Sequence, residues 1–470
     1  MQYDHVVLIS LDTLRADAVA ANPWKLWPLK YGTDVELRTP VLDELAGGGA
    51  FFANCIAAAP YTSAAHASVF TGLWPLRHGV YEFFNRKLSV PTVFTRAHRL
   101  GYRTYFKTDF PVMVGDLLGF TKDVDEYFVE EENDLLAALD PSRPTFSFVH
   151  FGGLHVPYGF HNLRFGGDDF VAKVAELEGE LEQTDYTADQ LVETYRSAED
   201  LGLLLRYKRA IQHLYGRCDY DRIFSLYLEG VGYFLERRFA PFLEALLGRL
   251  EGSRFLVVLF GDHGEEYDAE ACGHFNTLSE GAIRVPVVFW GTDVAPGLYG
   301  TRIRSVDVAP TLLELLGDDG RARARLDGRS LAATVLDGAG YAPATAFSQI
   351  YTSSTRELVE FQRRVLTSGK KTGSLKHVRY KESVHEGEHK LTRVNYRYER
   401  VAGSWELEEL PEPELTLETL GEDLVPRAVS DADAARELAA RLDDYNGTRS
   451  RRAERVAVSE RDLEDLAVFS

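Results

Sequence analysis

Cysteine is scarce in this chain: Cys55, Cys218 and Cys272 are the only three among 470 residues. They are too few and too scattered for a disulfide framework or a thiolate metal site, and are expected as reduced, largely buried thiols. No run of about 18 apolar residues exists, so no transmembrane helix and no membrane partner are expected. The opening MQYDHVVLISLD has no basic leader and passes straight into a strand-like run, so a cytoplasmic location is expected. Positive charge is also short, with 52 Lys and Arg against 72 Asp and Glu and a net charge of −20. That balance argues against a dedicated nucleic-acid binder, whose affinity would rest on clustered cations. Acidity itself reports a solvated surface and names no partner. Internal repeats and low-complexity tracts are absent too, and nothing in the chain fixes an oligomeric state.

What is present is the composition of a globular protein long enough to hold more than one structural unit. Short β-branched or aromatic runs recur at Val6–Leu11, Tyr102–Phe106, Phe146–Phe151, Phe255–Phe260 and Val285–Trp290. Such largely apolar runs suit strands buried on both faces of a parallel sheet. Helical patterns lie between them at Pro40–Leu45, Pro91–Leu100 and Pro310–Leu316, each opening on a proline that suits a first helical position. The expectation is an α/β fold, a large mainly parallel sheet sandwiched by helices, in a main domain over 1–345. From about 165 to 250 the alternation gives way to Leu, Glu and Arg at helical spacing, read as a helical insertion on the sheet's edge or over the site. A C-terminal subdomain over 346–470 is expected to carry a small antiparallel sheet. Val394, Tyr396 and Tyr398 alternate with polar residues, and Ala402-Gly403-Ser404 turns into Trp405-Glu406-Leu407. Pro411 and Pro413 mark a break, and Ala432–Leu466 reads as charged helix with a link at Tyr445-Asn446-Gly447.

Several residues fall where chemistry would need them. Asp12 closes the first strand in LISLDTLRAD, at the kind of strand end where ligands gather, although a helix N-cap is the plainer reading. Gly261-Asp262-His263-Gly264 follows the strand FLVVLF. An Asp and an imidazole between glycines suit zinc or another divalent transition metal, and a turn with a capping Asp is the alternative. His274, in CGHFNTLSEG, and His155, in FGGLHVPYG, have loop settings, whereas His78 before Gly79 reads as a turn or capping residue. In YTSAAHASVFTG the small residues favour a helix starting near Thr62 and stopping at Thr71-Gly72. Thr62 then stands at a helix N-terminus, which attracts phosphate or sulfate, or is simply its N-cap. His66 lies one turn on, on the face of Thr62.

Taken in order from Val6 to about Gly317, the chain resembles the sulfatase-like branch of the alkaline phosphatase superfamily. The resemblance lies in VVLISLDTLRAD, FFANCIAAAPYTSAAHASVFTGLWPLRHGV, LGYRTYFKT, HVPY, GDHGE, GHFN, RVPVVFWG and SVDVAPTLLELLG. The family's sulfatase motif runs Cys or Ser, any residue, Pro, Ser, Arg, three residues, an apolar residue, Thr, Gly. Anchored on Thr71-Gly72, it places Thr62 at the Cys/Ser and Ala64-Ala65-His66 at Pro-Ser-Arg. Sulfatases oxidise that first residue to formylglycine, which a threonine cannot become. The resemblance therefore implies Thr62 as nucleophile, as in the phosphodiesterase, phosphonate hydrolase and phosphotransferase relatives. By position it also implies one metal site of Asp12, Thr62, Asp262 and His263. Thr13 replaces a metal-binding Asp of the sulfatases, against their calcium site. Many two-metal relatives have an Asp shortly before the HVPY histidine, and here the place is Gly153. One site is thus expected, with a second as the alternative, and His155 and His274 are expected to hold substrate oxygens or serve as general acid. His66 and Lys107 complete the expected substrate contacts, and Ser63 is expected as an N-cap or supporting hydroxyl.

The expected function is a metal-dependent phosphoesterase acting on a small-molecule phosphate mono- or diester. Zinc or manganese would lower the pKa of the Thr62 hydroxyl, which attacks phosphorus to give a phosphothreonine. The alternatives are sulfate- or phosphonate-ester hydrolysis without formylglycine, phosphoryl transfer to an alcohol, and a degenerate relative that only binds an anion.

Overall fold

The computed structural model describes residues 3–81, 87–160, 163–181, 199–318, 320–321, 323–353, 377–401 and 404–447. Its strands are β1 (His5–Leu11), β2 (Ala50–Ile56), β3 (Arg103–Thr108), β4 (Glu126–Val129), β5 (Thr145–Phe151), β6 (Phe255–Gly261), β7 (Glu266–Tyr267), β8 (Cys272–Gly273), β9 (Arg284–Gly291), β10 (Gly297–Tyr299) and β11 (Ile303–Arg304). The main sheet runs β10-β2-β9-β6-β1-β5-β3-β4, with β11 also on β2. β1 alternates Val6 and Leu8 toward one core and Val7, Ile9 and Leu11 toward the other, so it is apolar on both faces. This is the doubly covered, mainly parallel sheet that its apolar runs call for.

One strand breaks the pattern. β9, the run Val285–Trp290, is antiparallel to both β2 and β6. Residues 262–283 stay at the carboxyl edge of the sheet and supply only the two-residue strands β7 and β8, paired with each other, and the short helix Glu280–Ile283. Without a crossover the chain must re-enter from the edge it left, and so it runs backwards. β2 gave no strand signal in the sequence because Ala53-Asn54-Cys55 interrupts its apolar run, yet it is buried along its length.

Registers align the ends that matter. Leu11 pairs with Phe151 on one side and Gly261 on the other, so Asp12, Gly152 and Asp262 leave the sheet side by side. The helix Thr62–Thr71 follows β2 and stops at Gly72, whose φ of 66° is the left-handed closure a glycine permits. Of the three proline-led helices only Pro40–Gly48 begins on its proline. Val93–Arg99 begins later because Thr92 caps it, accepting from Thr95 N, and Val308–Leu315 begins two residues before Pro310, continuing a turn of 3-10 helix.

Helices at Leu163–Leu181, Glu199–Gly216, Tyr220–Phe234 and Ala240–Leu250 occupy the inserted region, and residues 182–198 lie outside the described ones. They cover a face of the sheet: Phe224, Tyr227, Phe234 and Phe242 share a core with Val7, Ile9, Leu11, Val149 and Phe151. The chain then builds a second, antiparallel sheet of β12 (Ala346–Thr352), β13 (Val378–Glu386), β14 (His389–Val401), β15 (Ser404–Leu420) and β16 (Pro426–Ala428). The β14–β15 hairpin pairs Val401 with Ser404 around residues 402–403, which lie outside the described residues. Pro411 and Pro413 do not end β15. Pairing jumps from Val394↔Glu414 to Tyr396↔Glu409, so the prolines sit in a bulge that needs no donor from them. The helix Ala432–Asn446 packs Leu438 and Leu442 on this sheet, and 448–470 lie outside the described residues. Among the described residues no helix is long and apolar enough to cross a membrane.

Candidate active site

Strand ends and one helix start converge on a buried cage of acids and imidazoles. Asp12, Asp262 and His263 bring ligand-type atoms within 4.8 Å of one another. His263 Nδ1–H donates to Gly264 O at 3.1 Å, which leaves Nε2 free to face the carboxylates. That Nε2 lies 3.4 Å from Asp262 Oδ2, 3.7 Å from Asp12 Oδ1 and 3.3 Å from Thr62 Oγ1. Donors on one tetrahedral zinc stand about 3.3 Å apart, given bonds of about 2.0–2.1 Å. The three spacings therefore fit a divalent cation. Asp12 Oδ1 and Asp262 Oδ2 are moreover fully enclosed without any hydrogen-bond partner, so both oxygens fit the ligand atoms of a cation.

Each donor is held by a neighbour. His150 Nε2–H donates to Asp12 Oδ2 at 3.0 Å, and Thr13 N donates to Asp262 Oδ1 at 3.1 Å. Thr13 takes a φ of 61°, uncommon for a β-branched residue, and Tyr227 of the insertion fixes it by donating its hydroxyl to Thr13 O at 2.9 Å. Burial pushes the Asp12 carboxyl up to about 7, only partly opposed by His263. Burial and then the charge of Asp12 raise Asp262. Burial works against a charged His263, but the facing Asp262 and Asp12 raise it overall. The cage as it stands is short of positive charge.

Thr62 is the first residue of its helix, whose N-cap is Tyr61, so its hydroxyl is not a cap. Its Oγ1 turns to His263 instead, and no side chain caps the helix. The first intrahelical bond is Ala65 N to Tyr61 O, which leaves the preceding N–H groups to face an anion. Ser63 is no cap either, since its hydroxyl donates to Met113 O at 2.8 Å.

His66 and Lys107, expected against substrate, are enclosed by protein. His66 has no exposed surface; Nδ1–H donates to Thr62 O at 2.7 Å and Nε2 accepts from Ser10 Oγ at 2.8 Å. Burial holds its pKa down to about 3, so it is neutral and braces Thr62 from behind. Lys107 is equally buried, with Nζ on Asp109 at 2.5 Å and on His150 O at 3.1 Å. It belongs to an ion network completed by Arg238 of the insertion, which binds both Asp109 and Glu132. His78 is a turn residue, accepting from Val80 N at 3.1 Å and facing Ser68 Oγ at 3.0 Å. Cys55 is buried as expected, whereas Cys218 and Cys272 are exposed free thiols.

His155 and His274 come together with a residue that sequence reasoning passed over, Glu265, in a second buried cluster with ligand-type atoms within 4.8 Å of one another. The rings of His263 and His274 stand 4.1 Å apart, so the two clusters adjoin. Glu265 was legible only as the last letter of GDHGE, where nothing in the spacing separates it from the ion-paired Glu266. His150 was hidden inside an apolar strand.

A carboxyl-edge cage of this kind, built around a hydroxyl at a helix start, belongs to the hydrolases of the alkaline phosphatase superfamily. Residues 4–318 match the family model described as Sulfatase, and the chain belongs to the sulfatase family. It is similar to the choline-sulfatase of Rhizobium meliloti (strain 1021), at 24% identity over 337 residues. That match takes in 60% of this chain and 63% of the relative, so it spans less than two thirds of that protein. The phosphonate monoester hydrolase of Silicibacter pomeroyi superposes with a TM-score of 0.58 at 15% identity, over 96% of this chain and 99% of that one. That of Agrobacterium radiobacter gives 0.55 at 17%, over 94% of each. A protein solved with its substrate D-glucosamine-2-N,6-O-disulfate gives 0.61 at 14%, over 95% and 99%. These likenesses establish the shared fold.

Proposed function

We propose that the chain hydrolyses a small-molecule phosphate ester, mono- or diester, through Thr62 as nucleophile. The observation that carries this reading is the place of Thr62 Oγ1: at an uncapped helix start and 3.3 Å from the imidazole that faces both orphaned carboxylates. Asp12, Thr62, Asp262 and His263 would hold a divalent cation, zinc or manganese by donor type. When bound there, the cation makes the hydroxyl a better nucleophile and offsets charge on the phosphoryl group.

The residues of the chain do the rest. Thr62 Oγ1 loses its proton to solvent and attacks phosphorus in line, the bond to the leaving oxygen breaks, that oxygen takes up a proton, and a phosphothreonine forms. His66 fixes the Thr62 carbonyl so that the nucleophile stays aimed. Free N–H groups at the helix start meet the phosphoryl oxygens. Water then attacks the phosphothreonine and releases phosphate; an alcohol in its place would make the reaction a transfer. His155 and His274 complete the phosphoryl site beside His263.

Phosphorus is favoured over sulfur because a threonine cannot supply the aldehyde that formylglycine sulfatases use, while phosphonate monoester hydrolases share the fold. Sulfate-ester hydrolysis is the second reading, prompted by the choline-sulfatase relative. Exposed free thiols at Cys218 and Cys272 suit a reducing, cytoplasmic compartment. The test is turnover of nitrophenyl phosphate, bis-nitrophenyl phosphate and nitrophenyl sulfate by the wild type and Thr62→Ala. Phosphate-ester turnover that vanishes in the alanine variant is expected; an alanine variant of full activity, or a preference for sulfate, overturns the reading.

A further inference from the structure

We propose that a small oxyanion, carrying a phosphate or carboxylate group, binds between the two sheets, in a cavity that Arg284 and Arg302 line. The cavity has a volume of about 350 Å³, within the range of small-ligand sites. Its walls come from both parts of the chain. Asn54 of β2, Arg302 just before β11 and Arg284 at the start of β9 belong to the main sheet. His385 near the end of β13 and Leu420 at the end of β15 belong to the antiparallel one. Neither Thr62 nor any donor of the two clusters beside it lines this cavity.

Both guanidinium groups are buried and incompletely matched. Arg284 is 3% exposed, and its Nη2 donates to Glu280 Oε2 at 2.5 Å and to Leu424 O at 2.8 Å. Its Nε and Nη1 are sealed from solvent and meet no acceptor. Arg302 is 7% exposed and donates Nε to Ala344 O and Nη1 to Gly387 O, each at 3.1 Å. Both of those acceptors are backbone carbonyls, so among the described residues Arg302 has no carboxylate partner.

The nearby acids are committed elsewhere. Glu280 is shared by Arg284, by His385 at 2.8 Å and by Lys390 at 3.0 Å. Lys390 also reaches Glu418, at 3.7 Å. Asp307 is held through both oxygens by Arg304, and Glu386 by Arg441 and Thr345. Burial pushes His385 down to about 4, so it adds no charge at neutral pH. Burial also lowers Arg302, which Glu280 and Glu386 only partly oppose. A guanidinium without an acid thus stands beside one with two idle donors, the arrangement that a bound anion completes. Water would meet the donors but not the charge. The planar fork of an arginine matches the paired oxygens of a carboxylate or phosphate. Glu388 and Glu422 line the cavity too, but both are exposed, where solvent screens them. They favour a compact anion over an extended polyanion.

The inference does not rest on the Thr62 reading, and a difference measurement separates the two. Inorganic phosphate and succinate are titrated separately into full-length wild type, Arg302→Met and Arg302→Lys, each checked for fold by circular dichroism. Calorimetry counts the equivalents, and the difference between wild type and variant cancels any phosphate held at Thr62. The wild type should bind one equivalent more than Arg302→Met, of phosphate, of succinate or of both. Arg302→Lys keeps the charge but loses the fork, so it should weaken that equivalent about 10-fold, and it carries the comparison should the methionine variant not fold. Turnover of nitrophenyl phosphate should be unchanged by either substitution. Wild-type crystals soaked in the probe that binds should show it against Arg284 and Arg302. Equal binding of both probes by wild type and variants, or a probe seated away from these two arginines, overturns the site.

Discussion

Arg238→Met should cost about 3–5 kcal/mol, and a second change, Glu132→Gln, should return part of it. Arg238 reaches from the insertion to the sheet and donates to Asp109 at 2.9 and 3.1 Å and to Glu132 at 2.8 and 2.7 Å. Lys107 is the remaining cation, 2.5 Å from Asp109 and 3.5 Å from Glu132. Two cations thus face two carboxylates, at side-chain exposures of 8% or less. Arg238→Met keeps the stem but leaves one cation between two buried anions, the situation that makes breaking a buried pair expensive. Neutralising Glu132 restores one cation and one anion. The pair should therefore be non-additive, with the double variant more stable than the sum of the singles by about 2 kcal/mol. Urea unfolding followed by tryptophan fluorescence, compared at matched slopes, measures all four corners of the cycle. The same network bears on the site, because Asp109 Oδ2 also accepts from Gly152 N at 2.8 Å on the way to His155. A single variant costing under about 1 kcal/mol, or a cycle that is additive within about 0.5 kcal/mol, would refute the reasoning.

Three further outcomes follow from the same contacts. His150→Phe should weaken binding at the Asp12 site by about 10–100-fold, read by calorimetry, since it removes the donor that orients Asp12 Oδ2. Thr13→Gly should be neutral or stabilising by about 1 kcal/mol in thermal melts, because glycine relieves the φ of 61° and removes a buried, partnerless hydroxyl. Burial holds His78 at a pKa of about 3, against about 6.5 when unfolded. The unfolded chain therefore binds the extra proton between these values, so stability is complete above pH 6.5 and falls as the pH drops toward 3. Its slope is up to about 1.4 kcal/mol per unit from this residue, and His78→Gln should be flatter by that amount between pH 6 and 4.

The parts of the fold that the sequence exposed were those where one interaction decides the outcome. Strands β1, β5 and β6 are apolar on both faces, and runs of that kind have few other places to go. β2 escaped because polar Asn54 and small Ala53 sit in a strand whose burial comes from tertiary packing. The direction of β9 depends on the connection before it, which no window on the strand itself reveals. Pro411 and Pro413 suggested a break, but a bulge on their own strand made their missing donors harmless. At the site, the aspartates and histidines at strand ends were legible one by one. Which of them face each other, and that His66 and Lys107 turn inward, depends on neighbours on other strands, such as Ser10 for His66 and His150 for Lys107.

The reversed strand has a consequence for how the site is assembled. Four of the six clustered donors, Asp262, His263, Glu265 and His274, sit on one excursion that leaves the sheet from β6 and returns to it through β9. Both ends of that excursion are clamped into adjacent, hydrogen-bonded strands, so its closure cost is met by the scaffold. The segment is in effect a removable cassette. Exchanging residues 262–283 between relatives would carry over most of the ligand set, leaving Asp12, Thr62 and His155 as fixed contacts. A cut within it would separate the two clusters' donors while leaving the order of the sheet untouched.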